Sequence, residues 1–514
     1  VDSGGRALSD PFGEADGGKA PVHELMSQFL PFDDEKSALL AVRVLSGRKG
    51  SGKTVALRRL HTAALENDSI YVPQMESEAP PTDDVVRFTT NQMQAGLPVE
   101  EEWIQAWRRA IVRSVATHLL YATVGEKALC PDASEALHEY IGKILPRIRV
   151  PSSPYRQLSS LIRTSKGRSE DDELWEEVEF IIAKLLQRTR PLYFFVDAGD
   201  EYFHAAPRYW LECQKGLFHA IIQIVRKPEF GNRIHVVATL RDVAFAAACV
   251  GEHATRFLYA GRVKSLDWTY DSIQAFLQAK LQRVPEPYLI APAETTPIRR
   301  WLGRDTIWND RLKIEEDAKD YLVRHTRLIP RDVIAMGNAL CEAVVAQKAL
   351  GAREVPESVI RSYVSESARQ FGNEQMGICA NELACEVMPR EAATRSSDFY
   401  LANKHFIGSL ETELRDLIRG LELNRIDREM LRRAIDRGRN KFDDVNVFSV
   451  LWKNGLIGYL ENVPAGSGTR EVFFDSTIGR RDFRFPEDKD EYVFHPCLID
   501  SVGIRGVGAP SHRQ

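Results

Sequence analysis

The stretch that decides the reading of this chain runs from Ala38 to Thr54. ALLAVRVL at Ala38–Leu45 is a short apolar run that reads as a buried strand. It ends in Gly47-Arg48-Lys49-Gly50-Ser51-Gly52-Lys53-Thr54, which matches G-x-x-x-x-G-K-[ST]. KTVALRRLHTAALE, from Lys53 to Glu66, then has helical spacing. Strand, glycine loop and helix in that order make a phosphate cradle. The glycines let the backbone wrap so that several N–H groups point at one β-phosphate, and the helix N-terminus adds its positive end. Lys53 supplies a point charge for the β- and γ-oxygens, and Thr54 a hydroxyl for Mg²⁺. Gly47, Arg48, Lys49, Gly50, Ser51, Gly52, Lys53 and Thr54 are therefore the expected ATP-binding residues. Arg48 and Lys49 read equally well as solvated side chains.

A second site element lies farther along. Pro191–Val196 (PLYFFV) is a continuous apolar run of the kind buried on both faces of a parallel sheet, and it ends in Asp197-Ala198-Gly199-Asp200-Glu201. Asp197 is placed to hold Mg²⁺ together with Thr54. Asp200 or Glu201 is placed to orient or deprotonate the attacking water. Taken alone, this stretch reads better as a polar loop at a strand end. Beside the phosphate loop it reads as catalytic.

Outward from these two elements, strands alternate with helices. SIYV at Ser69–Val72, RIHVVATL at Arg233–Leu240 and RVKSL at Arg262–Leu266 read as strands. Trp103–Ala122, Ala133–Leu145, Glu170–Leu186 and Trp210–Arg226 read as helices. Pro73–Glu100 and Pro146–Gly167 read as loop. This alternation predicts a parallel α/β sheet with right-handed crossovers. The segment of about 73–190 is long for a connection and reads as an inserted helical subdomain. From Asp271 onward the pattern is almost wholly helical. After Val445 a helix-like VNVFSVLWKNG precedes short strands IGYL, EVFF and EYVFH.

The pattern of an apolar strand ending D-x-x-D-E resembles the signal-transduction (STAND) ATPases. Their NACHT branch carries D-G-h-D-E, from which Ala198 and Gly199 depart. HVVATLRD resembles the sensor strand of the same superfamily, with Thr239 and Arg241 in the polar and arginine places. The resemblance implies that Arg241 senses the γ-phosphate; a salt bridge with Asp242 is the other reading. HTRLIPRDVIAMGNAL resembles the lid motif in which a Pro-Arg pair opens a helix, making Arg331 similar to a sensor-2 arginine; a helix N-terminal arginine with local contacts is the alternative. Val445–Ser501 resembles the winged helix of initiator-type and STAND ATPases. The order of elements is similar to a bacterial family of P-loop ATPases of this architecture. The expected fold is thus an α/β P-loop NTPase core with a parallel sheet, a helical lid and a C-terminal winged-helix-like domain. Its expected divisions are a disordered tail at 1–30, the core at 31–268, the lid at 269–372, and a helical linker with the winged-helix-like module at 373–514.

The resemblance implies an ATP-hydrolysing STAND/AAA+ molecular switch with ATP and Mg²⁺ as cofactors. A protein partner or homo-oligomer, and a role in bacterial defence or signalling, follow from the same likeness. Two alternatives stand beside it: a DNA-associated initiator or loader, and an ATP-binding scaffold without turnover. NRIDREMLRRAIDRGRNK at Asn424–Lys441 is locally basic and on a helix could meet DNA phosphates; such a run is also a common solvated face. His495, before Pro496, reads as structural. The net charge of -5 argues against a protein that mainly coats nucleic acid. No apolar run is long enough to span a bilayer, and Val1–Ala20 lacks the apolar core of a secretory signal. The 7 cysteines include no CxxC pair, which argues against a disulfide framework or zinc site. A cytoplasmic location is expected.

Overall fold

The computed structural model describes residues 10–19, 35–75, 79–144, 150–164, 172–198, 206–230, 232–249, 257, 260–310, 313–387, 404–462, 469–473 and 485–506. The first part alternates helix and strand: α1 (Glu35–Ala41), β1 (Val44–Gly47), α2 (Lys53–Leu65), α3 (Thr82–Gln94), α4 (Val99–Tyr121), α5 (Pro154–Thr164), α6 (Asp172–Leu186), β2 (Leu192–Val196), α7 (Pro207–Arg226), β3 (Ile234–Arg241), α8 (Asp242–Ala248) and β4 (Val263–Ser265). These strands form one 4-stranded sheet in the order β2-β3-β1-β4, all parallel. Tyr71 extends the β2 edge through a single parallel bridge to Leu192.

Strand alternation sets the layers. Phe194, Val196, Val236 and Ala238 point to one face and join the cluster made by α3 to α7. Tyr193, Phe195, Val237 and Leu45 point to the other and pack on α2 and the end of α1. Residues from α3, α4, α5 and α6 share this core with the strands. At its centre α4 crosses α7 so closely that a Cβ on Gly216 would lie 2.5 Å from the Trp103 Cβ.

The helical region follows as α9 (Tyr270–Leu281), α10 (Pro297–Leu302), a hairpin of β5 (Thr306–Asn309) and β6 (Ile314–Asp317), α11 (Ala318–Arg324) and α12 (Pro330–Ala349). Next comes α13 (Glu357–Val387), a helix of 31 residues that runs unbroken across the expected boundary at 372. The last part holds α14 (Lys404–Arg419), β7 (Arg425–Asp427), α15 (Arg428–Arg439), α16 (Val447–Lys453), β8 (Ile457–Asn462), β9 (Thr469–Phe473), β10 (Glu491–Phe494) and α17 (Pro496–Val502). Its antiparallel sheet has the order β9-β8-β10-β7. Helix, strand, two helices and a β hairpin give a winged-helix-like arrangement. The region α9–α13 and this module share one hydrophobic cluster.

Several expectations change. Ala38–Ala41 is helical, because Leu39 and Val42 bury against α2 while Leu40 stays exposed. Only Val44–Gly47 is strand. α3 lies where loop was expected; its buried face carries Thr89, Thr90 and Gln92 beside Val85 and Val86, which hides the apolar period. α5 also replaces expected loop. Its buried Tyr155, Leu158, Leu161 and Ile162 have helical spacing within a Pro- and Ser-rich stretch. Arg425–Asp427 pairs as a strand instead of opening the basic helix.

Within the expected disordered tail, residues 10–19 are ordered. Phe12 is buried in a notch over Gly337, where a Cβ would lie 2.3 Å from its ring, and its ring centroid is 4.8 Å from that of Trp301. The Asn338 side chain accepts from Phe12 N (2.7 Å) and donates to Gly13 O (3.0 Å). Arg58 of α2 donates to Gly17 O and Gly18 O at 2.7 and 3.0 Å. The segment thereby straps α12 to α2.

Two predictions follow from the packing. Phe12→Ala empties the notch, a change that in a protein core costs about 3 kcal/mol. The expected outcome is a lower melting temperature with loss of amide protection over 10–19, read by hydrogen exchange; unchanged exchange there would refute the strap. The second concerns acid. Burial holds His118 neutral, lowering its pKa from 6.5 to about 4. Burial and the nearby Arg43 lower His235 to about 3. Burial, with Arg327 and Arg48, lowers His495 to about 3. Each is protonated more readily in the unfolded chain. Their stability contribution is therefore complete above pH 6.5 and is lost as pH falls toward 3, at up to ~1.4 kcal/mol per pH unit per histidine. Denaturant midpoints should decline steadily from pH 6.5 to 4.

Candidate nucleotide site

β1 ends inside the sheet and releases the chain into the loop 47–52, from which α2 starts. Gly50 and Gly52 have φ of +85° and +94°, a left-handed conformation that favours glycine. At Gly47 a Cβ would lie 2.5 Å from Ser51 Oγ, so the loop closes only over a glycine. Lys53 is buried, and its Nζ donates to Gly47 O (2.9 Å) and Arg48 O (2.8 Å). Its charge is held against the loop that would wrap a phosphate.

Thr54, Asp197 and Thr239 meet at the C-terminal edge of the sheet. Thr54 Oγ1 donates to Asp197 Oδ2 at 2.7 Å. Thr239 Oγ1 donates to Asp197 Oδ1 at 2.6 Å and accepts from Ala198 N at 2.9 Å. Parallel pairing in register makes this possible, since β3 lies between β1 and β2. Gln214 of α7 locks the arrangement. Its Nε2 donates to Ala198 O (2.8 Å) and its Oε1 accepts from Arg241 N (3.0 Å), so one buried side chain ties the ends of β2 and β3. Tyr155 donates its hydroxyl proton to Asp197 O. Trp268 Nε1 donates to Ser51 O at 2.9 Å.

Thr54 and Asp197 offer oxygen donors only, the set a hard cation such as Mg²⁺ takes. Among the described residues no group of three His, Cys, Asp or Glu side chains could hold a metal. A cation here would thus complete its shell with phosphate oxygens and water, as Mg²⁺ does when it arrives with a nucleotide.

The arginines lie around the same loop. Arg241 is buried and sits opposite Gly47 in the β1–β3 register, with its charge acting on Glu382 of α13. Asp242 is 4.0 Å from Arg48. Arg331, in the first turn of α12, donates its backbone N–H to Gly50 O at 3.3 Å, and the absent Gly50 side chain leaves room for it. Lys49 Nζ is 2.7 Å from Glu374 Oε1 of α13. His495 caps α17, its Nδ1 accepting from Cys497 N at 3.2 Å, which is a structural role. Asp200 and Glu201, the expected water-activating carboxylates, lie outside the described residues.

The structure thus gathers Gly47–Thr54, Asp197, Thr239 and Arg331 in one place, with Arg241 beside them. Sequence reasoning missed Gln214, Tyr155, Trp268 and Glu374. For Gln214 there was a signal: a polar residue on the buried face of an otherwise amphipathic helix, between Cys213 and Leu217.

No protein-family model matches this chain, and no curated protein matches it. Among solved structures it is similar to the Aeropyrum pernix ORC2 protein, determined in ADPNP–ADP complexes. That similarity has 11% identity over 93% of this chain and 90% of that one, with a TM-score of 0.28.

Thr239→Val removes the hydroxyl shared by Asp197 and Ala198 N and leaves a buried donor without a partner, at a cost of about 2 kcal/mol. Thr239→Ser keeps the hydroxyl. Urea unfolding should separate the two variants, and equal midpoints would show that the bridge contributes nothing.

Proposed function

We propose that the protein is an ATP-binding P-loop ATPase of the AAA+ or STAND kind, and that it works as a nucleotide-dependent switch. The observation that carries this is the Thr54–Asp197–Thr239 bridge set directly behind a glycine loop with Lys53. A hydroxyl and a carboxylate positioned for Mg²⁺, next to a lysine and backbone N–H groups positioned for phosphates, are the parts phosphoryl transfer needs. Thr239, fixed by its two bonds, holds the Asp197 carboxylate in orientation. Lys53 neutralises phosphate charge at the loop. The switch follows from what touches the loop: α12 through Arg331 and Gly50, and α13 through Glu374 and Lys49. Phosphates entering there alter contacts that belong to the helical region.

A second reading, the DNA-associated initiator, draws on α15. Arg432, Arg433, Arg437 and Arg439 of that helix, with Lys441 after it, are exposed. They form a basic face on the winged-helix-like module suited to a phosphate backbone. The next helix, α16, is not available in the same way: Val447, Phe448, Val450, Leu451 and Trp452 are buried. A role in bacterial defence or signalling remains part of the switch proposal by family likeness only.

The deciding experiment is turnover of ATP with Mg²⁺ by the full chain, beside Lys53→Ala, Asp197→Asn and Glu201→Gln. Lys53→Ala should weaken ATP binding by tenfold or more, the equivalent of about 1.5–3 kcal/mol for a charge-assisted bond. Asp197→Asn should bind ATP yet lose Mg²⁺-dependent turnover. A wild type that binds no ATP would overturn the proposal. Binding without turnover would leave the scaffold. Turnover raised by duplex DNA, and lost on replacing the α15 arginines, would favour the initiator.

A further inference from the structure

This inference rests on the proposed nucleotide site and concerns its regulation. Glu374 stands on α13, outside the parallel sheet and its loop. Its Oε1 meets Lys49 Nζ at 2.7 Å, and its Oε2 lies 3.8 Å from Arg327 Nη2. Burial alone would raise its pKa. The bond to Lys49, with the charges of Lys49, Arg327 and Arg331, outweighs that and holds the carboxyl below its ordinary value. Arg327 is already committed elsewhere. Its Nε and Nη2 donate to the fully buried Asp332 at 2.9 and 2.8 Å, and its Nη1 to Gln375 Oε1 at 2.7 Å. The cation that Glu374 holds at the loop by direct contact is therefore Lys49. An anion outside the loop is thus holding positive charge that a phosphate inside the loop would also attract.

The same helix grips the C-terminal module. Gln375 Nε2 donates to Asn454 Oδ1 and Asn454 Nδ2 to Glu382 Oε2, both at 2.8 Å. Lys453 at the end of α16 lies 3.6 Å from Glu382 and 3.3 Å from Glu386. Glu382 and Glu386 lie 8 and 12 residues beyond Glu374 on α13, about 12 and 18 Å along its axis. One helix connects the phosphate loop at one point and the module at the next.

We propose that Glu374 is a built-in rival of the nucleotide's phosphates for Lys49. ATP in the loop draws this cation away from Glu374, frees α13 from the loop, and so loosens the module that α13 holds. No bond is made or broken in this step; one anion replaces another beside the same cation.

The test is ATP titration of the full chain, read by calorimetry, for the wild type, Glu374→Gln, Lys49→Ala and the double variant. Glu366→Gln serves as the control, since it removes an equal charge from an exposed pair with Arg369 on the same helix. Glu374→Gln should tighten ATP binding about three- to tenfold, the usual range for one half-exposed charge-assisted contact. The gain should shrink in the Lys49→Ala background, because coupled residues are not additive. Hydrogen exchange should show ATP raising exchange in α16 of the wild type, and Glu374→Gln raising it without ATP. Unchanged or weaker binding by Glu374→Gln, an equal gain in Glu366→Gln, or ATP-induced protection of α16 would each overturn the inference while leaving the nucleotide site intact. A wild type that binds no ATP would instead overturn the proposed function on which this rests.

Discussion

The carboxylate of Asp197 is the point on which the arrangement depends. It accepts hydrogen bonds from Thr54 and Thr239, and so joins the first turn of α2, the end of β2 and the end of β3. Only a parallel sheet can do this with short side chains, because all its strands end on one edge. The β2-β3-β1 order then brings Asp197 and Thr54 to either side of Thr239. Gln214 closes a second tier behind them, satisfying backbone groups of both strand ends that would otherwise be buried without partners. Asp197 is half-buried, and with both its carboxylate oxygens hydrogen-bonded it is held in one orientation. Strand order and register thus set the partners of Asp197, while Gln214 ties the inward face of α7 to the two strand ends.

A different chemistry governs the boundary between the sheet and the helical region. The region α9–α13 and the C-terminal module share a continuous apolar cluster, anchored by the buried Arg327–Asp332 pair at the head of α12. Breaking such a pair by removing one partner typically costs 3–5 kcal/mol or so, since a buried charge is left behind. Against the phosphate loop, by contrast, the named contacts are polar: Trp268 to Ser51, Arg331 to Gly50, and Lys49 to Glu374. Contacts of that kind exchange with water or with another anion at little cost. The strap through Phe12 joins the two sides beside that seam.

Much of the core is legible in the sequence. The loop 47–54 and the apolar run before Asp197 are local signals in which spacing and chemistry coincide, and the chain forms strand, loop and helix at the first and a buried strand at the second. The boundaries were harder. Ala38–Leu45 is apolar throughout, and periodicity alone cannot separate a helix end from a strand start in so short a run. α3 was hidden because tertiary packing buries Thr89, Thr90 and Gln92, giving its inner face no apolar stripe. Phe12 was invisible for the opposite reason: a lone aromatic among Gly and Asp acquires meaning only from Gly337, more than 300 residues away. Glu374 had no local signal at all, because its role lies in which cation the fold sets opposite it.

The two readings of the C-terminal module are linked by α13. The basic residues of this region are partly spent on neighbours: Arg425 on Glu491, Arg428 on Asp490 and Arg433 on Glu429. Arg432, Arg437, Arg439 and Lys441 remain as an exposed set. If those residues met phosphates, binding would fall with salt at a log–log slope of roughly -3 to -4, which is weak and blind to sequence. Reading bases takes a helix laid in the major groove. The helix in the corresponding place, α16, has its apolar residues in the core and its Lys453 on α13. Holding α13 and presenting α16 are therefore competing uses of one surface. While the module is docked on α13, the basic face of α15 stays exposed and α16 stays covered. The nucleotide switch and any sequence-reading activity would thus be two settings of one interface.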